Sequence, residues 1–327
     1  MRILITGAGG MIGRKLTEAL LSLDVIGGPH GGPIDHIDLV DVVASPIDDD
    51  RITGHVADLA DGPILEDMAA RDPDIVFHLA GVVSGEAEQD FGKGMRVNLD
   101  GSRRLFDALR DRPSVPRVVF TSSIAVFGAP FPPSISDDFH LTPLTSYGMQ
   151  KAAAEMVLAD YTRRGFFDGI GIRLPTITVR PGKPNAAASG FFSSIIREPL
   201  AGERVELPVS RDVRHTHASP RSAVGFLLHA AALDGEIVGP RRNLTMPGVS
   251  VTVGEQIEAL VRAAGPDVAD LIMDNPDPFV ADIVAGWPQR FTTDRADQLG
   301  FTCETSFDEI VQAHIDDELS RGADHVT

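Results

Sequence analysis

The sequence predicts an α/β fold in which helices cover both faces of a parallel sheet and a smaller lobe follows. Two observations predict this fold class. Short apolar runs alternate with helical stretches through residues 1–174, which is typical of doubly wound parallel sheets. From residue 175 the pattern changes to loops and short helices rich in Pro, Gly, Ser and Arg. We therefore expect a Rossmann-type domain over residues 1–174 and a mainly ligand-binding lobe over residues 175–327, some segments of which return to the first domain.

The composition excludes several classes of partner. The 327 residues carry a formal net charge of −18, whereas nucleic acids and anionic membranes attract clustered Lys and Arg. The one cysteine, Cys303, cannot form an internal disulfide or a metal framework, which fits a reducing cytoplasm. No apolar run approaches the roughly 18 residues of a membrane span, and the first strand follows Met1 without a signal peptide. We expect a cytoplasmic protein that binds neither nucleic acid nor membrane.

The first strand, residues 2–6, leads into a glycine-rich turn and then an amphipathic helix. Gly7 permits the tight bend, Gly10 lets the backbone approach a pyrophosphate, and Gly13 allows the helix to pack closely on the strand. The helix N-terminus at Met11 and Ile12 offers unpaired N–H groups to phosphates. Strand, turn and helix in this order predict a dinucleotide site.

Residues 27–33 read as a flexible loop, and residues 34–43 as the second strand. Asp41 lies near its end, where dinucleotide folds use an acid to hold the adenosine ribose. The inserted loop accounts for its greater distance from the glycines. Because no Arg adjoins Asp41 to receive a 2′-phosphate, the sequence favours NAD over NADP.

Further strands are predicted at residues 51–56, 74–79, 115–121 and 169–174, with helices at 61–71, 88–110 and 145–164. Ligands of such sheets bind at the carboxyl ends of the strands. Polar or small residues stand at those ends: Asp58 after the third strand, residues 78–81 after the fourth, and residues 121–123 after the fifth.

Tyr147 and Lys151 are four residues apart in a predicted helix, so they share one helical face. An ammonium near the phenol favours phenolate and lowers the tyrosine pKa from about 10 toward neutrality. Tyr147 is therefore a candidate general base for a substrate hydroxyl. Such pairs also arise by chance on amphipathic helices, and the context decides between the two interpretations.

That context resembles the extended short-chain dehydrogenase/reductase family, which includes nucleotide-sugar epimerases and dehydratases. The matching residues follow the family's order along most of the chain: Thr6-Gly7-x-x-Gly10-x-x-Gly13, Asp58-Leu59, His78-Leu79-Ala80-Gly81, Asn98, Ser122-Ser123-x-x-Val126-Phe127-Gly128, Tyr147-x-x-x-Lys151 and Arg173.

The resemblance implies a catalytic triad. Ser123 would hydrogen-bond the substrate oxygen, with Ser122 as the fallback for that role. Tyr147 would be the base, and Lys151 would lower its pKa and hold the nicotinamide ribose. A hydroxyl beside a phenolate is also what a reacting carbinol oxygen requires chemically.

The cofactor contacts that we expect are made by residues of the glycine turn, the strand ends and the catalytic helix: Gly7, Gly10, Met11, Ile12, Gly13, Asp41, Asp58, Leu59, Leu79, Ala80, Gly81, Asn98, Tyr147, Lys151 and Pro175. By the resemblance, Asp58 would face the adenine, and Ala80 and Gly81 would lie along the pyrophosphate and ribose. Asn98 is equally well interpreted as a structural hydrogen-bonding residue.

Two departures from the family pattern narrow the chemistry. The dehydratases carry an acidic pair after the active-site hydroxyl residue, whereas Ile124 and Ala125 follow Ser123 here. Nucleotide-sugar enzymes usually carry Asn three residues after the Arg of the sixth strand, and Thr176 occupies that position. Dehydration is therefore disfavoured, and a sugar-diphosphate site is put in doubt.

Three segments of the chain, residues 176–200, 83–88 and 211–221, are similar to the D-erythronate dehydrogenase branch of the family. They contain guanidinium and ammonium groups suited to a carboxylate, and short polar side chains suited to polyol hydroxyls. Arg211 and Ser189 are available for these roles. The substrate contacts that we predict are Ser84, Ser123, Thr176, Arg180, Lys183, Asn185 and Arg214.

His215 and His217 share one face of a probable strand, but no third ligand stands near them, so we predict no metal site. Residues 249–264 and 291–315 are predicted to be amphipathic helices. The family resemblance alone implies a homodimer through the helices near 88–110 and 145–164.

The leading hypothesis is NAD-dependent oxidation of a small anionic polyol, D-erythronate to its 2-keto acid. The alternative is a nucleotide-sugar 4-epimerase that uses the same three residues. A third hypothesis, a catalytically silent NAD-sensing protein on the same fold, is disfavoured because Ser123, Tyr147 and Lys151 occur together.

Overall fold

The computed structural model describes residues 1–182 and 188–320. Its strands in chain order are β1 (Arg2–Thr6), β2 (Val25–Ile26), β3 (Gly32–Pro33), β4 (His36–Asp41), β5 (Ile52–Val56), β6 (Ile75–His78), β7 (Arg117–Ser123), β8 (Ile135–Ser136), β9 (Asp168–Leu174), β10 (Thr176–Ile177), β11 (Val205–Leu207), β12 (Arg214–Ala218), β13 (Asn243–Thr245), β14 (Val249–Thr252), β15 (Ile272–Asp274) and β16 (Phe291–Thr292).

The α-helices are α1 (Met11–Leu21), α2 (Ile64–Ala69), α3 (Ser84–Gln89), α4 (Phe91–Gly94), α5 (Ser102–Arg110), α6 (Ser146–Arg163), α7 (Phe191–Leu200), α8 (Pro220–Ala232), α9 (Gly235–Val238), α10 (Val253–Ala264), α11 (Pro278–Ala285), α12 (Asp294–Gln298) and α13 (Phe307–His314). A π-helical segment, Met95–Gly101, joins α4 to α5. In the part of the chain that the structure describes, no helix is both long and apolar enough to cross a membrane.

The central sheet is parallel and has the strand order β13-β9-β7-β6-β1-β4-β5. The chain runs outward from β1 in one direction to β5 and in the other to β13, so a crevice forms beyond the carboxyl ends of β1 and β6. In the register of the sheet, Thr6 lies beside Val40 and His78, and Ser123 beside Leu174. The strand ends that carry the predicted site residues therefore meet at one edge, and the predicted fold class is confirmed.

Alternate residues of the apolar strands pack on opposite faces, which explains their continuous hydrophobicity. Ile3 and Ile5 join the core under α1 and α8, whereas Leu4 joins the core under α2, α5 and α6. A separate core centred on Phe192, Ile257 and Ile310 holds the smaller lobe together through α7, α10 and α13.

The smaller lobe also contains a short sheet of order β10-β12-β14. Its strand β14 corrects the prediction of one helix over residues 249–264. The β-branched run at the start of that segment pairs antiparallel with β12, and a capping box at Thr252 starts α10 only at Val253. The prediction for residues 291–315 is also only partly right, because Gly300 at φ +86° separates α12 from α13.

Residues 27–31 of the predicted loop connect β2 to β3 in a small hairpin, and Gly32 and Pro33 form β3 itself. Gly28 has φ +85°, and a Cβ there would lie 1.9 Å from the carbonyl oxygen of Ala232. Glycine at this position therefore allows close packing against α8.

Candidate active site

The turn between β1 and α1 requires glycine at two crowded positions. Gly7 has φ +76°, and a Cβ there would lie 2.6 Å from the backbone nitrogen of Ala80. A Cβ on Gly13 would lie 2.3 Å from the carbonyl oxygen of Gly7. α1 begins at Met11, so its first N–H groups, including that of Ile12, have no intrahelical partner. Such a turn fits a pyrophosphate.

Asp41 ends β4 beside this turn. Its carboxylate accepts hydrogen bonds from the backbone N–H of Gly9 at 2.9 Å and of Val43 at 3.1 Å. The residues that follow, Val42 and Val43, are exposed and carry no charge. Gly9 is not one of the predicted site residues, although its N–H fixes the acid against the glycine turn. Asp41 also lines a pocket of about 90 Å³ between the ends of β4 and β5.

The ends of β5 and β6 continue the same edge. Asp58 accepts a hydrogen bond from the N–H of Ala60 at 2.9 Å, and Leu59 is buried. Arg104 of α5, which sequence reasoning missed, donates to the carbonyl oxygen of Ala60 at 2.9 Å and fixes this loop. The N–H of Leu79 donates to the carbonyl oxygen of Thr6 at 3.0 Å, so the segment after β6 is held against β1.

Gly81 follows β6 and lies close to Lys151 of α6. A Cβ on Gly81 would be 2.9 Å from Asn98 Oδ1 and 3.5 Å from Lys151 Nζ. Asn98 is fully buried in the π-helical segment. Its side-chain oxygen accepts from the N–H of Val82, and its Nδ2 donates to the carbonyl oxygen of Val82 and to Gln150 Oε1, the last at 2.8 Å. The geometry therefore favours the structural interpretation of Asn98.

The helix that carries the candidate base, α6, begins because Thr145 caps it, its hydroxyl accepting from the N–H of Gly148 at 3.1 Å. Tyr147 and Lys151 then lie on one face, as their spacing predicted, with Nζ 5.9 Å from the phenol ring centroid. The ammonium donates to the carbonyl oxygen of Thr121 at 2.8 Å. Burial lowers the pKa of Lys151 to about 8, and the charge of Glu155 opposes this shift.

The structure distinguishes the two serines at the end of β7. Ser122 is buried and donates to Glu155 Oε1 at 2.5 Å. Ser123 accepts a hydrogen bond from the N–H of Ala125 at 3.1 Å and hydrogen-bonds the phenol of Tyr147. Ser123 is therefore the serine beside the candidate base, and the fallback role for Ser122 is not supported.

The expected pKa of Tyr147 is wrong in its direction. Burial raises the pKa of the phenol above its ordinary value, and the two groups that oppose this rise are Ser123 and Arg180. Lys151 is not among them, because its hydrogen bond is directed to the carbonyl oxygen of Thr121. The cation that favours phenolate here is Arg180.

Arg180 is held in a fixed position beside this phenol. Its Nε donates to the carbonyl oxygen of Ile177 at 3.0 Å, and its guanidinium donates to Ser189 Oγ at 2.9 Å. Within residues 1–182 and 188–320, it forms no salt bridge with a carboxylate. Burial lowers the pKa of Arg180, and the phenol of Tyr147 raises it. A charged group with only neutral partners and a position beside the base is suited to an anion.

Two other predicted substrate contacts lie along this edge. Thr176 is half-buried two residues beyond β9, and its hydroxyl is 2.7 Å from Nε2 of His215. Pro175, predicted to contact the cofactor, is buried between β9 and β10. Ser84 opens α3 after the segment that Asn98 holds. These residues follow two strands, β6 and β9, which lie on either side of β7 in the central sheet.

Arg214 does not fit the predicted role of carboxylate partner. Its guanidinium donates to the carbonyl oxygen of Ser250 at 2.7 Å and to Glu255 at 3.0 Å, so β14 and α10 already satisfy it. Arg211 is likewise paired, with Asp274. Lys183 and Asn185 lie outside the described residues.

A buried ionic network holds α6 against the sheet, and sequence reasoning missed this network. Arg173 donates to both oxygens of Glu155 at 2.8–3.2 Å. The Nη1 atom of Arg173 lies 3.7 Å from Oδ1 of Asp137. Glu155 stands four residues after Lys151, so the helical spacing puts it on the same face, but its partners Ser122 and Arg173 lie on β7 and β9 and no spacing predicts them.

His215 and His217 are both buried, and their ring centroids are 5.4 Å apart. Across the described residues, no group of three or more His, Cys, Asp or Glu side chains is arranged to hold a metal ion. The two imidazoles instead bond threonine hydroxyls, His215 that of Thr176 and His217 that of Thr178.

A model of the NAD dependent epimerase/dehydratase family matches residues 3–231. The D-erythronate dehydrogenase of Cupriavidus necator is 48% identical over 321 residues, which cover 97% of this chain and 98% of the relative. The D-erythronate dehydrogenase of Haemophilus influenzae is 37% identical over 98% of this chain and 100% of the relative.

A solved structure described as the nucleoside-diphosphate-sugar epimerase from Agrobacterium tumefaciens has a similar fold. Its TM-score is 0.93 at 57% sequence identity, and the alignment covers 98% of this chain and 95% of that one.

Proposed function

Since the chain belongs to the NAD-dependent epimerase/dehydratase family, we propose that this NAD-dependent oxidoreductase oxidises the 2-hydroxyl of a small sugar acid, D-erythronate, to the 2-keto acid. Similarity to the two curated dehydrogenases supports the reaction class. The geometry around Tyr147 and Arg180 supports an anionic substrate.

The residues at the first half of the sheet edge fit NAD. A Cβ on Gly10 would approach only the carbonyl oxygen of Gly7, at 3.3 Å, so the backbone of Gly10 is accessible to a phosphate. The free N–H groups of α1 would hold the pyrophosphate, and Asp41 would hold the adenosine ribose without a neighbouring Arg for a 2′-phosphate. Lys151, at the far end of the same edge, would hold the nicotinamide ribose. When bound, NAD supplies the hydride acceptor.

Ser123 and Tyr147 would act together on the substrate hydroxyl. Ser123, fixed by the N–H of Ala125, orients the reacting oxygen. Tyr147 removes the hydroxyl proton, and because burial raises its pKa, the phenolate that performs this step is the minor form at neutral pH. The guanidinium of Arg180 stabilises that phenolate.

The position of Arg180 is the main support for an anionic substrate. It is the charged group that acts on Tyr147, and no described carboxylate pairs with it. A substrate carboxylate bound there would bring the adjacent carbinol, carbon 2, next to Ser123 and Tyr147. A guanidinium fork matches a carboxylate in geometry as well as in charge.

The direct test is to mix the purified chain with NAD and a panel of four-carbon and five-carbon aldonates and to follow NADH formation. We expect turnover with D-erythronate that the Tyr147→Phe variant lacks. Absence of NADH with every acid in the panel would contradict the proposal.

The 57% identity to a structure described as an epimerase keeps nucleotide-sugar 4-epimerisation as a second candidate. That reaction returns the hydride to the same molecule, so it predicts interconversion of nucleotide sugars with no net NADH. Thr176, in place of the usual Asn, counts against a sugar-diphosphate site.

We also propose a homodimer through the segments 88–110 and 145–164. Phe91 is 56% exposed and Met156 is 62% exposed, and each lies on one of these segments. Size-exclusion chromatography with light scattering would test the assembly, and an exclusively monomeric chain would contradict it.

A further inference from the structure

Thr176 lies immediately beyond the reacting centre. β9 ends at Leu174, which pairs with Ser123 in the sheet, and Thr176 opens β10 two residues later. Arg180 folds back over the same segment through its bond to the carbonyl oxygen of Ile177. If Ser123 takes the reacting hydroxyl and Arg180 the carboxylate, Thr176 faces the remaining carbons of the substrate.

The hydroxyl of Thr176 is held by an imidazole that packing immobilises. His215 is 2% exposed, and its ring is stacked on Phe192 with centroids 5.2 Å apart and planes 2° apart. Trp287 packs against the same ring at 5.3 Å. Nε2 of His215 is 2.7 Å from the hydroxyl oxygen of Thr176.

The ring of His215 is neutral where it meets Thr176. Burial lowers the pKa of His215 to about 4, so the ring is neutral under ordinary conditions and has one donor and one acceptor nitrogen. Nδ1 has no hydrogen-bond partner among the described residues, so the hydroxyl of Thr176 is the one described side chain to which this ring is hydrogen-bonded.

We infer that His215 is a positioning residue that fixes the hydroxyl of Thr176 so that it hydrogen-bonds a second substrate hydroxyl, the one on carbon 3. His215 takes one hydrogen bond of Thr176, and the half-buried hydroxyl keeps another for a ligand: a lone pair if Thr176 donates to Nε2, or its proton if Thr176 accepts. The pair selects 2,3-dihydroxy acids over 3-deoxy acids, because the deoxy analogue leaves a polar group in the pocket unpaired. This inference rests on the proposed function.

The test compares kcat/KM for D-erythronate with kcat/KM for its 3-deoxy analogue. We expect the preference for erythronate to fall about tenfold, or roughly 1.4 kcal/mol, in both Thr176→Val and His215→Phe. His215→Phe keeps the aromatic stack but removes the nitrogen that holds the hydroxyl of Thr176. Thr176→Ser keeps the hydroxyl and should keep the preference.

Thr178→Val is the matched control. Thr178 bonds Nδ1 of His217 at 3.1 Å in the same manner, but it is fully buried. This variant should lose stability and retain the substrate preference. An unchanged preference in Thr176→Val, or an equal loss of preference in Thr178→Val, would overturn the inference.

A second measurement does not depend on the variants folding well. Nitrogen-15 NMR of the unchanged chain should show the Nε2 resonance of His215 shift more on binding of D-erythronate than on binding of its 3-deoxy analogue, and equal shifts would overturn the inference. Turnover of neither acid by the unchanged chain would contradict the proposed function together with this inference. Turnover with the preference unaltered in the variants would contradict this inference alone.

Discussion

The two ends of the active-site edge are built differently. At the cofactor end, formed by the carboxyl ends of β1, β4 and β6, backbone groups form most of the site. Gly7 and Gly13 allow close approach of the backbone, and the N–H of Gly9 holds Asp41. At the substrate end, beyond β7 and β9, half-buried side chains with shifted pKa values form the site, above all Tyr147 and Arg180. We therefore expect the first end to be sensitive to added atoms and the second to changes in charge.

The replacement Tyr147→Phe should separate the two ends most clearly. Loss of the general base should lower kcat by about 10²–10⁴-fold. Most of the affinity for NAD should be retained, because the glycine turn, Asp41 and Lys151 are unchanged. Steady-state kinetics and calorimetric titration with NAD would measure the two effects. Tyr161→Phe is the matched control, because Tyr161 lies on the same helix and bonds Asp107 instead. A parallel loss of NAD affinity in Tyr147→Phe would show that the ends are not independent.

Arg180→Met should have the next largest effect. Removing one partner of a charged hydrogen-bonded pair costs about 2–5 kcal/mol, so kcat/KM for the sugar acid should fall by about 30-fold or more. Because Arg180 lowers the pKa of Tyr147, the rise of activity with pH should also move to higher pH. Arg214→Met, at a guanidinium already bound by Glu255, should change kcat/KM little. Equal effects of the two variants would contradict the assignment.

Gly7→Ala tests the cofactor end. The added Cβ meets Ala80 at 2.6 Å in a backbone conformation with φ +76°, and strain of this kind costs about 1–3 kcal/mol. We expect weaker NAD binding and a lower melting temperature. Gly225→Ala, with no atom within 4 Å of the added Cβ, should be neutral or stabilising. Normal NAD affinity in Gly7→Ala would be the contrary result.

The pH dependence of the unchanged chain tests the substrate end without a mutation. A raised phenol pKa makes phenolate the minor form at neutral pH, so its fraction grows about tenfold per pH unit until the pH reaches that pKa. We expect log kcat/KM to rise with a slope of about one above neutrality. A profile that is flat from pH 7 upward would mean that Tyr147 is already ionised there.

The cofactor end could be predicted from sequence because its signals are local. The glycine spacing and the apolar strands lie within short segments, and Asp41 needed only the position of a strand end. The charge at the substrate end could not be predicted, because its pairs join residues far apart in the chain. Arg214 pairs with Glu255, and Ser122 and Arg173 meet Glu155 from neighbouring strands. No pattern in the sequence distinguishes Arg180 from the paired arginines near it.

Helix and strand boundaries failed where tertiary packing overrides local preference. The start of the predicted 249–264 helix pairs with β12, and the glycine-rich stretch at 27–33 packs against α8. In both places the packing partner lies far away in the sequence, so the local sequence pattern cannot indicate it.

The strand β13 has a consequence for how the chain can be divided. It lies late in the sequence, yet it covers the outer edge of β9, and the N–H of Gly171 donates to the carbonyl oxygen of Arg242 just before it. A fragment ending at residue 174 would lack that cover and expose the unpaired backbone of β9, the kind of edge that recruits other chains. Synthesis of the first domain is therefore complete long before its sheet can close, and we expect truncated forms of this protein to aggregate rather than fold.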